Sequence, residues 1–301
     1  MTHCRWLLLL FGLLALAGCG GSSSGGKSLS EQQADAQKLT DASQRARRLA
    51  QVAAGQQQAG DLLGVRSSLA AAKESALAIK DPASRATALV YVASQSAKLD
   101  QPTDDLKSLL REAAKAADEI TDPDLRVRVL AELAAATGTQ LKNAALAASY
   151  LKSAEEAAEG LESVVTKVPA LGRIAAAYHK LERMDDANRV ILAAQELADS
   201  ASDRRQKCDA LAEVGAALHR IERPDESKAA FDAAAQVAAE IAAAEGQAYA
   251  LLSLAKKLAA ANRNDASAAA LVRANAAAEQ VSDTSVRRTL VEEIEAARGN
   301  R

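Results

Sequence analysis

Side chains capable of chemistry are few in this chain, and their spacing suits no familiar reaction. Three histidines and three cysteines occur in 301 residues: His3, His179 and His219, and Cys4, Cys19 and Cys208. A metal site needs three or four ligands at about 2 Å, and the distant pair His179 and His219 falls short. No H-E-x-x-H, P-loop or nucleotide-binding glycine pattern occurs. Gly21-Ser22-Ser23-Ser24-Gly25 matches the hydrolase pattern G-x-S-x-G, but that motif works only in a strand-turn-helix frame, which a Gly/Ser stretch cannot provide. The adjacent acids Asp185-Asp186 and Glu155-Glu156 are expected to be a turn cap and a solvated helix face. Cys208 is expected to be buried as a small hydrophobe. Apart from Cys19 and the leader it has no cysteine to pair with, which excludes an intramolecular disulfide framework. The expectation is a non-enzyme with no metal and no cofactor.

The elements that carry these residues are helical. Hydrophobic residues make up 49% of the chain and aromatics only 2%, so the core must be built from Ala, Leu and Val. Ala is the best helix former, and the strand-forming aromatic and β-branched residues are scarce. A formal charge of −2 supplies no basic field for phosphate backbones, which argues against a nucleic-acid partner.

A period of 40 or 41 residues runs through the chain. Leu49, Leu89, Leu130, Leu171, Leu211 and Leu251 recur at that spacing; three residues after each come Val52, Val92, Leu133, Ile174, Val214 and Leu254. The next position holds Ala53, Ala93, Ala134, Ala175, Gly215 and Ala255, completing the apolar stripe of an amphipathic helix. A second stripe begins at Leu69, Leu110, Leu151, Ile191, Phe231 and Leu271. Two columns made only of alanine follow it, Ala72 to Ala274 and Ala76 to Ala278. The period predicts an all-α fold, an α-solenoid of about six antiparallel helix pairs. A seventh first helix from Asp283 to about Ala297, with Val291 in the leucine column, is expected to cap the C-terminal end.

Helix punctuation follows the same period. Asp41, Asp81, Asp122, Ser163, Asp203 and Asp283 stand eight residues before the leucine column and suit N-caps. Ala243 breaks that column, so the sixth unit's first helix is expected to start less sharply. Arg45, Arg85, Arg126, Lys167, Lys207 and Arg287 follow the caps by four residues, a spacing for weak acid-base pairs of about 0.2–0.5 kcal/mol. Pro169 lies inside the fourth unit's first helix and is expected to delay or kink its start.

These columns resemble the tetratricopeptide repeat (TPR), over roughly residues 40 to 281. That family's small residue of the first helix falls on Ala53 to Ala255, its aromatic or aliphatic position on Leu69 to Leu271 and its alanine on Ala72 to Ala274. The unit is about six residues longer than the usual 34, and Leu replaces the frequent Trp near its start. A period near 40 is also that of HEAT repeats, so another α-solenoid family is the alternative. In TPR proteins the end of the first helix lines a concave, partner-binding groove. The resemblance places His179 with Lys180, and His219 with Arg220, at that end of successive first helices, with Lys98 in the same basic column. A mildly basic strip of this kind suits an acidic or C-terminal carboxylate segment of a partner protein. Solvated residues near a helix end, where cations suit the dipole, are the alternative.

The N-terminus differs from the repeats. Arg5 followed by 12 apolar or glycine residues, Trp6 to Ala17, reads as a secretory leader over residues 1–18, too short to span a bilayer. Leu16-Ala17-Gly18-Cys19 resembles the bacterial lipobox, which implies cleavage before Cys19 and lipidation, including palmitate, of its thiol. An ordinary secretory leader cut near the same place is the alternative. Residues 19–30 then read as the lipidated Cys19 and a Gly/Ser linker, and 31–301 as the repeat domain. In a two-membrane bacterium, the resemblance to lipoproteins with an uncharged residue after the cysteine, here Gly20, implies delivery to the outer membrane, on its periplasmic side. The function expected is a membrane-anchored, non-catalytic scaffold that binds other proteins in the cell envelope. An envelope enzyme with a site in the groove, or a passive spacer, is the alternative.

Overall fold

The computed structural model describes residues 27–99 and 103–299. Within them every regular element is an α-helix. A short α1 (Leu29–Gln37) leads into six antiparallel hairpins: α2 (Ala42–Gln58) with α3 (Leu62–Leu77), α4 (Pro82–Lys98) with α5 (Thr103–Asp118), α6 (Pro123–Gln140) with α7 (Ala144–Glu159), α8 (Val164–Lys180) with α9 (Met184–Ser200), α10 (Arg204–Arg220) with α11 (Pro224–Ala239), and α12 (Ala244–Ala260) with α13 (Asn264–Ala278). The seventh first helix, α14 (Thr284–Gly299), closes the array. No described helix is long and apolar enough to cross a membrane.

The sequence columns form the seams of this α-solenoid. Every residue from Ala72 to Ala274 in the first alanine column is fully buried, and those from Ala76 to Ala278 are at most 1% exposed. A methyl group in these places lets neighbouring helices approach near the lower end of the usual 8–10 Å spacing. First helices pack directly on the first helices of adjacent units. Second helices pack on their own first helix and on the next one, with no comparable seam among themselves. The first helices are thus the crowded inner layer, and the face they share is the concave one.

Where the column residue changes, a partner changes with it. Gly215 takes the place of alanine where Phe231 takes the place of leucine, and a Cβ on Gly215 would lie 2.9–3.0 Å from the Phe231 ring. In the fourth unit Leu171 is only half-buried, while Ile174 and Ala175 beside it are fully buried.

Six of the expected N-caps are present: the side chains of Asp41, Asp81, Asp122, Ser163, Asp203 and Asp283 accept from backbone N–H groups of the first turn at 2.7–3.3 Å. The basic column does something else than expected. Arg45, Arg85 and Arg287 reach back and donate to the carbonyls of Leu39, Ile79 and Val281; Lys167 and Lys207 do so to Glu159 and Asp199. These bases close off carbonyls at the end of the preceding helix or turn, groups with no partner inside the helix. Arg126 instead faces Asp118 at 3.7 Å. Gln247, which breaks the basic column, bonds the carbonyls of Ala238 and Ala239, so its amide keeps the role that the charge has elsewhere.

Several expectations are corrected. α12 starts at Ala244, in register with the other units, although Ala243 offers no side-chain cap; its carbonyl accepts from Gln247 N–H at 2.9 Å. α8 starts directly after Ser163 and runs through Pro169 without interruption, because the missing N–H removes one bond from a helix already nucleated and packed on both sides. The linker ends before residue 30. Ser28 and Glu31 form a reciprocal capping box that starts α1, so the last residues assigned to the linker belong to the folded body. In α14, Leu290 and Ile294 are fully buried while Val291 is half-buried. Among the described residues no second helix follows α14, which docks on α12 and α13. Cys19, the leader and the linker up to residue 26 lie outside the described residues.

Candidate functional site

The end of each first helix sets up the groove. α2, α6, α8, α10 and α12 finish in a left-handed residue, Gly60, Lys142, Glu182, Glu222 and Asn262, at φ of 52–76°. Arg183, Arg223 and Arg263 N–H then bond back to the carbonyls of Tyr178, Leu218 and Leu258 at 2.9–3.0 Å, the Schellman arrangement. The same turn therefore ends α8, α10 and α12 at equivalent places in their units.

Two adjoining hollows occupy that face. One, of about 290 Å³, is lined by Arg128, Glu132, Arg173, Lys180 and, from α10, Arg220 over a floor of alanines from α6 and α8. The other, of about 430 Å³, continues toward the N-terminus past Tyr91, Ser94, Gln140 and Arg47, and shares Glu132 and Lys180 with the first. Arg173 is paired with Asp124 at 2.8 Å, and the Arg47 guanidinium stands 5.9 Å from the Tyr91 ring. Among the described residues, Arg128, Lys180 and Arg220 have no carboxylate within ion-pair distance.

Glu132 is the carboxylate at the centre. Burial pushes its pKa above the ordinary value of 4.5, against the opposing pull of Arg128, Arg173, Lys180 and Arg47. Burial likewise lowers the pKa of Arg220; Glu213 opposes this, and the nearby Arg173 charge adds to it. The site therefore holds a surplus of positive charge over a small-residue floor, with Arg128, Lys180 and Arg220 open to solvent. Such an arrangement binds carboxylates through charge-assisted hydrogen bonds.

Of the residues expected from the sequence, the structure brings Lys180 and Arg220 together in one hollow. Lys98 is exposed at the end of α4 but lines neither hollow; the next unit carries the neutral Thr139 in that column. His179 and His219 are half-buried and line neither; their carbonyls accept the turn bonds from Glu182 and Glu222 N–H at 2.9 and 3.1 Å. Arg128, Arg173 and Glu132 were missed. They stand at other offsets from the leucine column, two before it or two after, on the same face of the first helix, and a search along one column does not find them.

Elsewhere, Cys208 is fully buried and burial pushes its thiol up to about 12, so it is neither exposed nor ionised. Glu155 is not the solvated acid expected. It accepts from Tyr178 Oη at 2.6 Å and from both terminal nitrogens of Arg189 at 2.8 and 2.9 Å, clipping α7 to α8 and α9. Asp186 pairs with Arg183 at 2.6 Å in the first turn of α9. No group of three or more His, Cys, Asp or Glu side chains among the described residues could hold a metal ion.

No family model matches the chain, and no curated protein matches it. Among solved structures it is similar to the crystal structure of Ton1535 from Thermococcus onnurineus NA1. The two are 17% identical with a TM-score of 0.47, over 88% of this chain and 94% of that one.

Proposed function

We propose that this protein is a TPR-like scaffold, lipid-anchored through Cys19 on the periplasmic side of a bacterial membrane, the outer one in a two-membrane envelope. It binds acidic segments of other envelope proteins in its concave groove and catalyses nothing itself. The observation that carries the binding reading is the convergence of Arg128, Lys180 and Arg220, none with a carboxylate partner, beside Arg173 in one hollow. All three side chains are exposed at the groove surface, so an incoming carboxylate can reach them and supply the charge partner they lack. The hollow's floor of Ala131, Ala135, Ala176 and Ala177 leaves room for a peptide backbone, and its lining offers no hydroxyl or thiol nucleophile. The anchor reading is supported by the leader and the lipobox-like Leu16-Ala17-Gly18-Cys19.

The test is crosslinking and affinity capture from cells, wild type against Lys180→Glu/Arg220→Glu, backed by anisotropy with a labelled oligoglutamate probe. Loss of one charged hydrogen bond costs about 1.5–3 kcal/mol, so the double reversal is expected to weaken probe binding by roughly 100-fold or more. Residual wild-type binding should fall with salt. An unchanged set of captured proteins, with unchanged probe affinity, refutes the groove as the binding site.

A further inference from the structure

We propose that the Leu62–Leu63 corner of the first hairpin is a bilayer-contact surface, which seats the N-terminal unit on the membrane that carries the lipid anchor. The proposal rests on the reading of Cys19 as the lipidated residue. Leu63 is 80% exposed and Leu62 58%, adjacent in the first turn of α3. The repeat makes the pair anomalous. At the position of Leu63 the other units carry Asp104, Ala145, Asp185, Asp225 and Asp265. An acid there complements the positive end of the helix and keeps the turn wet. Only the first unit places a large apolar side chain there.

The chain's entry point lies at the same corner. Leu29, two residues after Lys27, packs over Gly55 near the end of α2, with its Cδ2 2.9 Å from where a Cβ would sit. Gln33 of α1 then bonds Ser67, one turn beyond Leu63, at 3.1 Å. The start of α1 therefore runs beside the start of α3. The eight residues Gly20 to Lys27 separate the lipidated thiol from this point. Fully extended they reach at most about 28 Å, so the corner is held close to the headgroups wherever the rest of the solenoid points. The neighbouring charges are Arg66, exposed one turn after Leu63, Asp61, engaged in capping Gly64 N–H, and Lys27, paired with Asp35.

Acyl chains already hold such a protein on the bilayer; what two leucines at the tether's root add is orientation. A contact too weak to recruit a free protein becomes populated when the tether keeps it at high effective concentration. With the first unit seated, the basic hollow on α6, α8 and α10 is displaced along the solenoid, away from the lipid and toward proteins of the aqueous space.

The experiment uses the full lipidated protein in vesicles of phosphatidylethanolamine and phosphatidylglycerol that carry a lipid-borne fluorescence quencher. A fluorophore is placed at Ala59→Cys beside the corner or at Ala296→Cys on α14; buried Cys208 does not compete for label. The expected result is strong quenching at the corner and little at α14. In Leu62→Asp/Leu63→Asp, quenching at the corner should fall to the α14 level, since each leucine withdrawn from lipid weakens the contact roughly tenfold. Leu63→Asp restores the residue of four other units, so an unchanged thermal midpoint is expected, and flotation with vesicles should persist. Equal quenching at both labels, or quenching untouched by the double substitution, overturns the corner while the anchor stands. Flotation of Cys19→Ala equal to wild type overturns the anchor, and the corner proposal with it.

Discussion

Single residues carry strain in the groove-forming turns. Glu222 adopts φ of 60°, a region that costs a non-glycine residue about 1–2 kcal/mol. The first unit has Gly60 at the equivalent place, at φ of 76°. Glu222→Gly should relieve that cost, less the 0.4–1 kcal/mol by which glycine loosens the unfolded chain. Chemical denaturation should therefore show a net gain of up to about 1.6 kcal/mol, and a loss would mean that the Glu222 side chain contributes something its exposure does not suggest. Glu132 gives a pH-dependent case. Because burial raises its folded pKa, the stability it contributes is present below its unfolded pKa near 4.5 and is lost as pH rises through the higher folded value. Ionised Glu132 is therefore destabilising near neutral pH. Glu132→Gln should raise the thermal midpoint there, with no gain in acid, and should tighten binding of an oligoglutamate probe by removing the central negative charge. Midpoints measured across that pH range, together with probe titrations, check both signs.

At the scale of the helix pair, stability depends on matched side-chain sizes. Gly215 and Phe231 are one such match, since the ring occupies the space where an alanine methyl would sit. Gly215→Ala gains about 0.8–1.0 kcal/mol of helix propensity but meets overpacking worth about 1–3 kcal/mol. It should therefore be destabilising or at best neutral alone, and stabilising in the Phe231→Leu background. A double-mutant cycle read by denaturant midpoints measures the coupling; additive effects would show that the ring yields without cost. The size pattern of this pair was readable as paired departures from two columns. The use made of the basic column was not. The four-residue spacing from Asp41 to Arg45 pointed to a local acid-base pair. The guanidinium instead reaches six residues back, to the carbonyl of Leu39, because exposed ion pairs gain little and a terminal carbonyl has no helical partner.

Over the whole molecule, each hairpin shields its apolar face only against its neighbours, so an end unit depends on its cap. Leu290 and Ile294 of α14 are fully buried against the sixth hairpin. Deleting the chain from Thr284 should remove about 1.5–3 kcal/mol of burial for each. The loss should be local: amide exchange is expected to quicken first in α12 and α13 and to leave α4 to α7 nearly unchanged. Uniform loss of protection would show that the solenoid unfolds as one block. The same architecture gathers the groove from three units. Arg128, Arg173 and Arg220 belong to α6, α8 and α10 and lie in one hollow only because successive first helices stack side by side.

The 40-residue recurrence by itself determined the paired helices, the buried alanine seams, the six first-helix side-chain caps and the terminal helix. Each of these is dictated by a local signal, a propensity, a period or a capping side chain, that repeats often enough to stand out. Only the tertiary structure decided which cations meet. Lys180 and Arg220 shared a visible column. Arg128, Arg173 and Glu132 sit at different offsets on different helices, and His179 and His219 turned out to line no hollow despite their equal spacing. Offsets within one helix say which face a side chain takes; the angle at which the next helix packs decides what stands opposite it.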